Sequence, residues 1–62
     1  MLKIGILHHC MKLYNLPDEM IGFLETYYKL EEADNCHIVY GEYDDLYEVL
    51  LKLSHDYDIE II

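Results

Sequence analysis

His9-Cys10-Met11-Lys12-Leu13-Tyr14-Asn15-Leu16 is the stretch on which the fold turns. It links an apolar run, Leu2 to His8, to a helix-start signal at Pro17. Met11, Leu13 and Tyr14 make it too apolar for a plain solvent loop. If this connector docks irregularly on the core, the chain alternates strand and helix, and helical crossovers favour parallel strands. If residues 10–15 instead add a hairpin strand, the sheet becomes mixed and the fold α+β.

Outward from the connector, the apolar pattern is regular. Leu2, Ile4 and Ile6 share one face of a strand, with Lys3, Gly5 and Leu7 on the other. Pro17 suits the first position of a helix, where its missing N–H has no intrahelical partner to lose. Asp18 and Glu19 suit the positive end of the helix dipole. Met20, Ile21, Phe23, Leu24, Tyr27, Tyr28 and Leu30 fill one half of the helical wheel, which predicts an amphipathic helix from 17 to near Ala33. Gly22 lies on the outer arc and weakens that helix by about 1 kcal/mol relative to alanine.

Asp34-Asn35 predicts a turn, and Cys36 to Tyr43 a second strand, with Ile38 and Tyr40 on one face and His37, Val39 and Gly41 on the other. Asp45 and Glu48 are spaced as a capping box, which starts a second helix with a core stripe of Leu46, Tyr47, Val49, Leu50, Leu51 and Leu53. Asp58 to Ile62 alternates as a terminal strand. The expectation is one domain over residues 1–62: a small two-layer α/β sandwich of order β-α-β-α-β. Its three-stranded parallel sheet carries two amphipathic helices on one face. The alternative is the mixed α+β sheet with an extra hairpin near residues 10–15.

Charge narrows the function. Thirteen acidic residues against four lysines and no arginine give 62 residues a formal net charge of −9. Phosphate contact requires Lys or Arg, so direct nucleic-acid binding is disfavoured. A hydrophobic content of 53% and seven tyrosines nevertheless indicate a folded domain rather than an acidic disordered chain. No stretch approaches the roughly 20 apolar residues of a membrane-spanning helix, and His8-His9-Cys10 ends the first apolar run poorly for a signal peptide. The expected compartment is the cytoplasm, with Cys10 and Cys36 as free thiols.

No motif supports catalysis. Gly5, Gly22 and Gly41 are isolated and form no phosphate loop. Asp44-Asp45 reads as helix capping before it reads as a magnesium or general-acid pair. His8, His9, Cys10, Cys36 and His37 are zinc-competent donors, but their spacing matches no standard site. On parallel strands the two groups stand roughly 17 Å apart, at opposite edges of the sheet; antiparallel pairing would bring them together. The chain is therefore expected to be no enzyme and to need no cofactor or metal.

Two helices on one face would form an acidic wall from Asp18, Glu19, Glu25 and Glu32 on the first and Asp44, Asp45 and Glu48 on the second. Lys29 and Lys52 offset two of those charges, and Tyr28, Tyr43 and Tyr47 stand at the margin as anchors. Such a wall attracts a basic protein surface. In size, charge and lack of a catalytic motif the chain resembles the small inhibitors that bacteriophages and mobile elements encode against host nucleic-acid enzymes or CRISPR effectors. The resemblance is one of composition and transfers no residue. It implies a protein-binding inhibitor whose carboxylates mimic nucleic-acid phosphates on a basic partner. The alternative expectation is a structural or regulatory module that self-associates or joins a larger assembly through open strand edges and an apolar sheet face of Leu7, Val39, Ile62 and Tyr43.

Overall fold

A tight turn at His8-His9 folds Cys10–Tyr14 (β2) back on Leu2–Ile6 (β1) as an antiparallel hairpin, with the Leu7 N–H donating to the Cys10 carbonyl at 2.9 Å. In the computed structural model, which describes all 62 residues, this hairpin decides the architecture. The remaining elements are α1 (Asp18–Tyr27), β3 (Lys29–Glu32), β4 (His37–Tyr40), α2 (Tyr43–Asp56) and β5 (Ile59–Ile61). The sheet is five-stranded in the order β3-β4-β2-β1-β5, and only the β1–β5 pairing between neighbours is parallel.

This overturns the expected three-stranded parallel sheet. The connector is a central strand: β2 lies between β1 and β4 and supplies hydrogen-bonding partners to both. The first helix is also shorter than its periodicity suggests. A helix over 17–33 would run about 25 Å, whereas a five-residue strand spans about 17 Å, so the chain would overshoot the sheet. It leaves the helix at Tyr28, in extended conformation, and Lys29–Glu32 pairs with β4 despite its helix-forming composition. Leu30, opposite Val39, packs on the core.

Register then assigns the faces. Leu2 and Ile4 of β1, Met11 and Leu13 of β2, and Val39 of β4 point to one side and are buried. Met20 and Leu24 of α1 join them, as do Leu46, Val49 and Leu53 of α2, in one apolar core of 11 residues that contains no polar side chain. Both helices therefore cover the same face. Right-handed crossovers produce this arrangement, because α1 leaves β2 toward one edge while α2 leaves the antiparallel β4 toward the other. The faces of β4 are opposite to the sequence reading. Val39, expected on an exposed apolar face, is fully buried, whereas Ile38 and Tyr40 lie on the uncovered face opposite Lys12 and Cys10.

Local signals tune the ends. Asn15 takes a left-handed conformation (φ 64°), which asparagine tolerates, and its Nδ2 donates to the Met1 carbonyl at 3.0 Å before Pro17 leads into α1. Helix α2 starts at Tyr43, two residues earlier than the expected cap. Asp45 is not the cap itself but accepts from the Glu42 backbone N–H at 3.3 Å. A β-carbon at Gly41 would come within 3.0 Å of the Asp45 side chain, so the smallest residue suits this approach.

Two substitutions probe these assignments. A β-carbon on Gly22 would meet nothing within 4 Å. Gly22→Ala should therefore stabilise the protein by about 1 kcal/mol in urea denaturation; no gain would place the residue outside a regular helix interior. Val39→Lys should abolish cooperative unfolding, whereas Ile38→Lys should leave it intact, and the reverse result would restore the original face assignment.

Candidate functional site

The two helices lie side by side and antiparallel. The Tyr57 hydroxyl at the end of α2 donates to Glu19 in the first turn of α1. At the other end, the half-buried Tyr28 that terminates α1 feels Glu48 and Asp45 of α2. Midway, Lys52 stands 5.8 Å from the centre of the Phe23 ring. This layer carries Asp18, Glu19 and Glu25 on α1 and Asp44, Asp45, Glu48 and Asp56 on α2, all exposed, with Lys52 as its sole lysine.

The expected wall thus exists in altered form. Glu32 leaves it for β3, Lys29 moves to the uncovered sheet face, and Asp56 joins. Lys52 and Asp56 pair at 3.2 Å, whereas Asp18, Glu25, Asp44 and Glu48 have no ion-pair partner. The uncovered face has the opposite bias. It holds Lys3, Lys12 and Lys29 against Glu31 and Glu60, with Lys29 5.5 Å from the Tyr40 ring centre and Lys3 3.9 Å from Glu60.

Electrostatics within the layer leave a trace on its phenols. The hydrogen bond to Glu19 pushes the Tyr57 hydroxyl up to about 12, helped by burial and by the charges of Glu19 and Asp56. Tyr28 is raised by burial first and then by Glu48 and Asp45. Tyr40, on the other face, is raised chiefly by its hydrogen bond to Glu31 at 3.1 Å.

The structure does not bring all the expected anchors together. Tyr28 lies in the seam between the helices, but Tyr43 and Tyr47 lie on the flank of α2 away from α1. There they line an apolar groove of about 450 Å³ with Leu46 and Leu50, and Ile6, Leu7 and Met11 of the β1–β2 hairpin form its floor. Glu42, His8 and His9 complete the rim. Tyr47 and Leu51, expected in the core stripe, are 53% and 49% exposed, as is Ile6 at 51%. The apolar arc of α2 is wider than the sheet beneath can cover, so Tyr47 faces this groove while Leu51 stands exposed outside it. That width was visible in the sequence; which edge would overhang was not, because it depends on where the hairpin stops.

The metal-competent groups stay apart. Cys10 sits opposite Tyr40 and His37 opposite Leu13, at the two ends of the β2–β4 ladder and roughly 10 Å apart along the strand. No group of three His, Cys, Asp or Glu side chains converges in ligating geometry. Both cysteines are free and half-buried, and no helix is long and apolar enough to cross a membrane. No protein-family model matches the chain, and no curated protein or solved structure was found to be similar to it.

The raised Tyr57 predicts a pH dependence. An unfolded tyrosine ionises near 10, so the Glu19–Tyr57 bond contributes fully below that pH, and its contribution is lost as pH rises toward about 12. In an ultraviolet titration Tyr57→Phe should remove one late-ionising phenol and lessen the alkaline loss of stability. An unchanged late step would mean that the helix ends are not joined in this way.

Proposed function

We propose that the protein is a small acidic binding protein that occludes a basic, nucleic-acid-binding surface on another protein. The observation that carries this reading is the segregation of charge. Seven of the thirteen carboxylates ride on two adjacent helices with one lysine among them, while the other three lysines lie on the far side of the sheet. Scattered surface acid would serve solubility equally well from any side. Acid collected on one layer instead makes a directional field that speeds encounter with a cationic groove and orients the protein on it.

The action is steric and electrostatic, with no chemical step. The carboxylates of Asp18, Glu25, Asp44 and Glu48, unpaired within the chain, occupy the place of nucleic-acid phosphates. Burial against a cationic surface replaces their water with charge-assisted hydrogen bonds. A second reading, self-association or entry into a larger assembly, is favoured by the unpaired edge of β5 and by exposed Ile61 and Ile62. Sedimentation across a concentration series decides it, since a strict monomer at high concentration removes self-association.

The leading reading predicts that immobilised protein retains a basic protein from cell lysate at low salt and releases it as salt rises. Glu25→Lys and Glu48→Lys should each weaken retention roughly tenfold without loss of fold, and DNA or RNA should compete. Retention indifferent to salt and to both reversals would defeat this reading.

A further inference from the structure

The groove beside α2 is a second feature, distinct from the acidic layer. Its floor and walls are apolar, and Ile6, Leu7 and Tyr47 stand about half exposed in it. Ile61 continues the same side of the sheet one strand away, in register with Ile4. Leaving such large side chains in water forfeits stabilisation that a partner could recover on burial.

The surrounding charge selects the occupant. Glu42 lines the groove, and Asp44 and Asp45 follow in the first turn of α2 with no lysine among the lining residues. The positive end of the α2 dipole, roughly half a unit charge, is outweighed by these three carboxylates. A second copy of the chain, with a net charge of −9, is a poorer match to this acidic rim than a cationic segment. Anionic lipid headgroups and acidic ligands match the rim equally poorly.

We propose that this groove anchors a cationic amphipathic segment of the partner protein. Its large apolar side chains enter between α2 and the β1–β2 hairpin, and its Lys or Arg side chains meet Glu42 and Asp44. The proposal rests on the partner being basic and adds to that reading the apolar contact that fixes position. Charge on the helical layer draws the partner in from a distance. The groove then supplies short-range contacts that salt does not screen.

The test is an NMR titration of the intact protein with three synthetic peptides of equal length. The first places leucine and lysine at helical spacing, the second replaces each leucine by serine, and the third replaces each lysine by serine. The leucine–lysine peptide should bind about tenfold or more tightly than the serine–lysine peptide and shift the resonances of Ile6, Leu7, Tyr47 and Leu50. Tyr47→Ser should erase that advantage while leaving the serine–lysine affinity unchanged. Equal binding of the two lysine peptides, with shifts confined to the outer helix faces, would overturn the groove proposal and leave the electrostatic reading standing. Equal binding of the lysine-free peptide in the groove would overturn the cationic occupant. Binding by none of the three would defeat both readings.

Discussion

Everything in this fold depends on the antiparallel pairing of Met11 and Leu13 on β2 with Val39 and His37 on β4. The pairing puts β2 in the centre of the sheet, where Met11, Leu13 and Val39 become the floor on which both helices rest. A shift of one residue would pair Val39 with Lys12 or Cys10 instead of Met11, putting either Lys12 into the core or Val39 into water, so a buried face fixes the register strongly. With no polar group in the core, apolar packing seats the helices on the sheet, and the polar and charged side chains are left to the surface, where Tyr57 and Glu19 join the helix ends.

That arrangement converts an unremarkable acidic composition into a two-sided molecule. Because α1 and α2 share a face, their outer arcs merge into one layer, joined at one end by Glu19 and Tyr57 and carrying most of its carboxylates unpaired. Because β2 is a strand, Lys12 stands on the opposite face beside Lys3 and across the sheet from Lys29. The hairpin also projects its tip beyond the cover of α2, which opens the groove. Charge layer and groove are thus two consequences of one topological choice.

Much of this was legible in the chain. Pro17-Asp18-Glu19 starts a helix one residue from where the pattern places it, and the core residues Met20, Leu24, Leu46, Val49 and Leu53 fall on the apolar arcs that periodicity assigns. Two strands lie outside the three-stranded expectation: β2, which the sequence offers only as the alternative hairpin near residues 10–15, and β3, which it does not signal. The His8-His9 turn lacks the Asn-Gly or Asp-Gly signature that marks a tight hairpin, and neither residue takes the positive φ that those sequences favour. Lys29-Leu30-Glu31-Glu32 has the composition of a helix end, and only pairing with β4 overrides it. The second of these strands moves two charges of the site: Lys29 and Glu32 belong by pattern to a helix that ends at Tyr27.

The central claim is therefore the middle position of β2, and cross-strand proton–proton contacts measured by NMR test it most directly. The account predicts backbone contacts linking Met11 with Val39 and, on its other side, with Ile6, together with Val39 methyl contacts to core side chains of the helical layer. Backbone contacts that instead join Leu2–Ile6 directly to His37–Tyr40, with residues 10–14 outside the ladder, would contradict it.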